Sequence, residues 1–271
     1  MSISHKKLVL TIAGSDSGGG AGIQADIKSL SANGVFALSV VTAITAQNTI
    51  GVTKVYDLPA DMVMAQLDAV LSDFELSAIK IGMLSNADIV QTVSEKILEA
   101  RVSCVVVDPV MVAKSGHRLL QDDAVTILKQ RLIPLATLVT PNVHEAEWLT
   151  GMTIRTLADA RQAAKALHSL GCRFVLIKGG HLEERPATDL LYDGRFFRVY
   201  QGEWIQTPHT HGTGCTYASA IAAHLARGLP LPDAIDAAKT YTTQAIRHGL
   251  PIGHGQGPLD HFYFFPISQV S

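Results

Sequence analysis

Short runs of β-branched and apolar residues recur along this chain, each closing on a glycine or a polar residue and most of them followed by a helical pattern. Leu8-Val9-Leu10-Thr11-Ile12-Ala13 closes on Gly14, the run 37–46 on Gln47, and Ala78-Ile79-Lys80-Ile81 on Gly82-Met83. Cys104-Val105-Val106-Val107 closes on Asp108, Leu138-Val139-Thr140 on Pro141-Asn142, and Phe174-Val175-Leu176-Ile177 on Lys178. Runs that are apolar on both faces belong in a parallel sheet covered on both sides. Helical spacing over 23–32, 61–74, 86–100, 122–132, 157–170, 215–227 and 233–248 supplies the cover. The expected fold class is therefore α/β, a doubly wound and mostly parallel sheet in one domain over 1–271. Alternation over 51–56 predicts a half-exposed edge or lid strand, and 189–198 a hairpin with an Asp193-Gly194 turn.

In such sheets ligands bind beyond the carboxyl ends of the strands, so the closing residues carry the functional reading. Gln47 offers a carboxamide suited to an amide-like or aminopyrimidine edge, or it is a plain turn residue. Asp108 ends an all-valine strand where a Mg²⁺–phosphate complex wants a carboxylate; an Asp-Pro turn is the bland alternative. Asn142 and Glu145 have the spacing of a capping box, and the same oxygens would serve a hydrated Mg²⁺. Lys178 at a buried strand end calls for an anionic partner, for which phosphate is the preferred reading. Asp26, one turn into the helix after the loop 15–22, faces either this crevice or solvent.

The densest signal is Thr207-Pro208-His209-Thr210-His211-Gly212-Thr213-Gly214-Cys215. A glycine turn entering a helix gathers unpaired N–H groups and a partial positive charge, which suits phosphate or a developing oxyanion. Gly212, Thr213 and Gly214 form that hole, and Cys215 sits in the first turn, where the helix field is expected to lower its thiol pKa toward thiolate. A tight loop of small residues is the structural alternative, and a zinc site from His209, His211 and Cys215 lacks a fourth ligand.

Composition excludes several classes. With 22 basic against 24 acidic residues there is no basic field for nucleic acid. No apolar run reaches the ~18 residues of a membrane helix, and no secretory leader is evident, so a cytoplasmic location is expected. Three cysteines without CxxC spacing encode neither a disulfide framework nor a zinc ribbon. The glycine cluster 18–22 fails the GxGxxG fingerprint because Ile23 stands at its last position, which speaks against a nicotinamide-dependent oxidoreductase, and GxxxxGK[ST] is absent.

Several motifs in fixed order carry a further resemblance: Thr-Ile-Ala-Gly-Ser-Asp with Gly-Gly-Ala-Gly-Ile-Gln-Ala-Asp, Ala-Gln-Asn-Thr at 46–49, Lys-Ile-Gly-Met at 80–83, Asp-Pro-Val-Met at 108–111, Thr-Pro-Asn with Glu145, Ile-Lys-Gly-Gly-His at 177–181, Gly-Thr-Gly-Cys at 212–215 and Gly-Pro-Leu-Asp-His at 257–261. From about residue 8 to 261 the chain resembles the bacterial hydroxymethylpyrimidine/phosphomethylpyrimidine kinases of thiamine biosynthesis, in the ribokinase superfamily. The resemblance implies a ribokinase-like fold, ATP, Mg²⁺ and two successive phosphorylations of an aminopyrimidine alcohol. It implies that Asp26 and Gln47 read the ring and that Gly14, Met83 and Val110 line its pocket. Cys215 takes the place of the sugar kinases' aspartate base, with Gly212, Thr213 and Gly214 as anion hole. Asp108, Asn142 and Lys178 fall in the nucleotide region, with Asp108 and Glu145 acting on Mg²⁺ indirectly. A homodimer is the expected assembly. Pyridoxal kinases share the superfamily and stand as the near alternative; a non-catalytic pyrimidine-binding protein is the distant one.

Overall fold

The computed structural model describes residues 6–112, 116, 118–179 and 187–265. The loop 113–117, apart from Gly116, and Gly180-His181 of the lysine motif lie outside the described residues. Among the described residues nine strands form one sheet in the order β3-β2-β1-β4-β5-β6-β7-β8-β9. These are β1 (Leu8–Asp16), β2 (Phe36–Gln47), β3 (Val52–Asp57), β4 (Ala78–Ile81), β5 (Val105–Val107), β6 (Leu138–Val139), β7 (Phe174–Ile177), β8 (Thr188–Tyr192) and β9 (Phe197–Gln201). The strands from β2 through β1 and β4 to β7 pair in parallel, whereas β3, β8 and β9 pair antiparallel at the two edges.

The helices are α1 (Gly22–Ala32), α2 (Ala60–Leu71), α3 (Ala87–Ala100), α4 (Asp122–Ile127), α5 (Val143–Thr150), α6 (Leu157–His168), α7 (Thr213–Ala226) and α8 (Leu231–Arg247). Alternate strand residues feed two cores. Leu10, Ile12, Val105 and Val107 pack under α2 to α6, while Val9, Val106, Leu138 and Leu176 pack under α1, α7 and α8. Apolar side chains on both faces of the central strands are thereby removed from water, which is the main stabilising term.

Two elements depart from expectation. β2 is only partly buried, because it lies next to the edge strand and presents Ile44 outward at 50% exposure. The helix expected over 122–132 stops being regular at Leu128 and passes through a π turn (Leu128–Leu132) and a 3₁₀ turn (Ile133–Leu135), since Pro134 supplies no N–H to continue it. The segment 253–258 is pinned to the β2–β3 turn: the amides of His254 and Gly255 donate to Thr49 Oγ1 and that of Gln256 to Thr49 O. Among the described residues no helix is long and apolar enough to cross a membrane.

The chain leaves β1 toward β2 and β3 and returns to β4 on the other side of β1. The strand order thus reverses at β1, where doubly wound sheets open a crevice.

Candidate active site

The carboxyl ends of five parallel strands deliver Gly14, Met83, Asp108, Asn142 and Lys178 to one side of the sheet, and all five line a cavity of about 870 Å³. That is the upper end of small-molecule pockets. Two backbone devices shape its floor. The β1–β2 register shifts between Ala13 and Ser15, and at the bulge Gly14 leaves space that a Cβ would close at 3.0 Å from Met83 Sδ. Gly212 caps α7 at φ 85°, where a Cβ would run into Gly20 O.

Among the described residues no side chain caps α7; Thr213 N is bonded to Thr210 O at 3.4 Å, and Gly212, Thr213, Gly214 and Cys215 all line the cavity at this helix start. This turn lies directly against the charged centre. A Cβ on Gly214 would stand 3.3 Å from Lys178 Nζ and 3.4 Å from Asp108 Oδ2. Lys178 Nζ reaches Asp108 Oδ1 at 2.5 Å, and Thr140 Oγ1 donates to the same oxygen at 3.1 Å. The anion that Lys178 meets in this structure is therefore the Asp108 carboxylate. Burial works against the Lys178 charge, but Asp108 and Glu145 outweigh it and hold the ammonium above its usual range.

Asn142 caps α5 and forms the expected capping box: Glu145 N donates to Asn142 Oδ1 at 2.9 Å and Asn142 N to Glu145 Oε2 at 2.7 Å. Both residues also line the cavity. Burial pushes the Glu145 carboxyl up to about 7; Lys178 opposes the rise and the Asp108 charge adds to it. A carboxyl that changes charge near neutrality, beside an ion pair and an uncapped helix start, fits a site handling phosphate charge.

At the carboxyl ends of the neighbouring strands β2, β1, β4 and β5 the cavity is lined by apolar Gly14, Met83 and Val110 together with Thr45 and Gln47. Asp16 and His211 also line it, with His211 Nε2 2.9 Å from Asp16 Oδ2. Beyond β9, Trp204 to Thr207 line it too, and α8 contributes Lys239, Thr242, Thr243 and Ile246. Lys239 Nζ binds Asp189 Oδ2 at 2.6 Å, and Tyr217 OH donates to the same carboxylate at 3.0 Å.

Two site expectations are corrected. Asp26 faces neither crevice nor solvent: it is fully buried and absent from the cavity wall. Lys80 Nζ bonds both its oxygens at 2.8 and 2.9 Å, and Thr11 Oγ1 and Ser219 Oγ donate to it as well. A carboxylate satisfied four times inside the core has nothing left for a ligand. The Cys215 thiol is raised rather than lowered, to about 11. Burial dominates, and Asp26 and Asp108 add to it against the pull of the Lys80 ammonium and the Gly22 amide.

The sequence reading missed Asp16 as a wall residue, gave His211 only a metal-site reading and overlooked the α8 face. Lys239, Thr242, Thr243 and Ile246 follow i, i+3, i+4, i+7 spacing, a usable signal, but it looked like one more amphipathic surface.

A family model described as phosphomethylpyrimidine kinase matches residues 16–260. The chain is 53% identical over 253 residues to the thiamine biosynthesis bifunctional protein of Geobacter sulfurreducens; the match covers 93% of this chain and 52% of that protein, so the chain spans about half of its length. It is 49% identical to the hydroxymethylpyrimidine/phosphomethylpyrimidine kinase of Haemophilus influenzae, with 97% and 99% of the two chains covered. Among solved structures it is similar to an ADP complex of Bacillus subtilis pyridoxal kinase, with a TM-score of 0.89, 40% identity, and 96% and 99% of the chains covered.

Proposed function

Because this chain belongs to the phosphomethylpyrimidine kinase family, we propose that it phosphorylates 4-amino-5-hydroxymethyl-2-methylpyrimidine with ATP and then its monophosphate to the diphosphate, in thiamine biosynthesis. The observation that carries this reading is the seating of the glycine turn on the Asp108–Lys178 pair. Phosphoryl transfer is mostly positioning and charge neutralisation, and the site gathers the parts for both. The part of the cavity lined by Gly14, Met83 and Val110 takes the ring, with Gln47 at the ring's polar edge. The nucleotide lies toward Trp204 and α8, so that its terminal phosphate meets the amides of Gly212 to Cys215. Lys178 turns from Asp108 to the phosphate as the substrate's negative charge arrives.

Among the described residues no three His, Cys, Asp or Glu side chains form a ready metal cluster. Asp108, Asn142 and Glu145 nevertheless supply the hard oxygens that suit a hydrated Mg²⁺ shared with phosphate, and they would hold it. When bound, that ion neutralises triphosphate charge. Cys215, a neutral thiol at pH 7, serves in this reading as a donor beside the transferred group, with the helix amides taking the developing charge.

One kinase domain over 1–271, working in the cytoplasm as a homodimer, completes the reading. The half-exposed β2–β3 edge, with Ile44, Ile50 and Tyr56 outward, supports the dimer. The likeness to a pyridoxal kinase supports a second reading, phosphorylation of pyridoxal at the same site. Mass-detected phosphorylation of the hydroxymethylpyrimidine, its monophosphate and pyridoxal by one preparation separates the two. Turnover of both pyrimidines is expected, and a kcat/KM higher for pyridoxal than for either pyrimidine would overturn the first reading.

A further inference from the structure

A run of hydrogen bonds crosses the ring end of the cavity, and its protons can be counted from both ends. At one end, the Asp16 carboxylate accepts from the amides of Gly18 at 2.8 Å, Gly20 at 3.1 Å and Ala21 at 2.8 Å. Burial alone would raise its pKa, but the bonds from His211, Ala21 and Gly18 hold it below the usual carboxylate range, so it only accepts. His211 Nε2, 2.9 Å from Asp16 Oδ2, must therefore bring a proton there. A ring nitrogen that donates has no lone pair in that plane for the Gln47 Nε2 set 3.2 Å away, so two donors would face each other there. The Gln47 atom facing it must be an acceptor.

At the other end, Thr45 Oγ1 has one proton and donates it at 2.9 Å to Ser15 O, a carbonyl that can only accept. Gln47 Oε1 stands 3.1 Å from the same hydroxyl, but with its one proton on the shorter bond to Ser15 O, Thr45 offers Gln47 a lone pair, which calls for a donor there. The two ends agree. A half-turn of a carboxamide exchanges its oxygen and nitrogen at nearly the same positions, and only the hydrogen-bond network chooses between them. The structure sets Gln47 Nε2 toward His211 and Oε1 toward Thr45; counting the protons reverses the carboxamide and selects Oε1 toward His211 and Nε2 toward Thr45. The Gln47 backbone is pinned as well: Ser17 Oγ donates to Gln47 O at 2.7 Å and accepts from Gln47 N at 2.9 Å.

We infer that Asp16 and His211 are specificity residues acting through Gln47, holding its carboxamide in one orientation so that it selects an amino-bearing ring over its oxo counterpart. This rests on the proposed phosphorylation of an aminopyrimidine alcohol with Gln47 at the ring edge. A ring with an amino N–H beside an unprotonated ring nitrogen meets Oε1 and Nε2 in the order the lock enforces. A ring with C=O beside N–H meets them reversed, leaving two like groups face to face in a part-buried site. Without the lock the carboxamide turns over and serves either ring. His211 also joins this lock to the phosphate end, since it immediately precedes Gly212 and its own amide is bound to Gly257 O at 3.1 Å.

The experiment compares kcat/KM for the 4-amino alcohol and its 4-oxo analogue in the wild type, Asp16→Asn and His211→Leu. The wild type is expected to favour the amino ring by at least ~100-fold, and both variants to fall to within ~10-fold. Overall activity drops for many structural reasons, but the ratio between two rings of the same shape moves only if the carboxamide changes its preference. An unchanged ratio in either variant overturns the inference and leaves the kinase reading standing. A wild type inactive on both rings overturns both. Long-range ¹⁵N spectra of the wild type give a readout independent of any variant: His211 is expected with Nε2 protonated, and a bare Nε2 overturns the lock.

Discussion

Two residues set what the site can do with protons near neutral pH. A Cys215 thiol pushed up to about 11 leaves little thiolate at pH 7. Iodoacetamide labelling of Cys215, followed by peptide mass spectrometry, should accelerate steadily with pH and still be rising at pH 9; a plateau below pH 8 would show a thiolate already formed. Cys215→Ser should keep kcat within about tenfold of wild type if the helix amides carry the developing charge, whereas a loss beyond ~10³-fold would return the sulfur to the role of base. Glu145 behaves differently. Its folded pKa of about 7 lies above its ordinary value of 4.5, so between those pH values the folded state holds a proton that the unfolded chain has released. Stability from this group therefore falls as pH rises from 4.5 to 7 and is level above. Glu145→Gln keeps an acceptor for Asn142 N and removes the titration. The Tm difference, variant minus wild type, should grow across that window and then flatten; a flat difference throughout would mean an ordinary carboxyl.

At the scale of elements, the entry to α7 depends on a backbone shape that most residues cannot take. Gly212 combines φ 85° with a Cβ direction blocked by Gly20 O, so Gly212→Ala must both strain the turn and displace the 18–21 loop. A stability loss of ~1–3 kcal/mol is expected from denaturant titration, together with at least ~100-fold in kcat/KM as the amides leave their line. Gly34 is the control. It has a similar φ of 84°, but nothing lies within 4 Å of an added Cβ, so Gly34→Ala should lose ~1–2 kcal/mol from the left-handed backbone alone and leave kcat/KM unchanged. Equal activity losses in the two variants would show that the strain at Gly212, and not its place at the site, is what matters.

Across the whole molecule, the buried Lys80–Asp26 pair joins four elements. Lys80 comes from β4, Asp26 from α1, and Thr11 of β1 and Ser219 of α7 complete the carboxylate's partners. The two helices whose first turns meet at the site, α1 at Gly22 and α7 at Thr213, are thus locked together one to two turns below it. Removing one charge strands the other in a low-dielectric core, so Lys80→Met alone should cost ~3–5 kcal/mol. Asp26→Leu with Lys80→Met should cost clearly less than the two single changes summed, as a double-mutant cycle by denaturant unfolding would read. Simple additivity would mean that the pair is solvated rather than closed.

Much of this architecture was written locally. Runs such as Val105-Val106-Val107 and Phe174-Val175-Leu176-Ile177 have no polar face, and that alone demands a sheet covered on both sides with closing residues at its ligand edge. Gly212, Gly214, Asp108, Lys178 and the Asn142–Glu145 box needed only neighbours a few positions away to be noticed. Asp26 and Cys215 did not yield to the same reading, because their state depends on desolvation and on partners such as Lys80, 54 residues from Asp26. Asp16 and His211 are 195 positions apart and meet only when the carboxyl end of β1 and the start of α7 close on one crevice. Periodicity and strand-end chemistry are properties of adjacent residues and survive in the bare sequence; burial, charge state and hydrogen-bond direction are properties of the space between distant segments, and only the folded chain determines them.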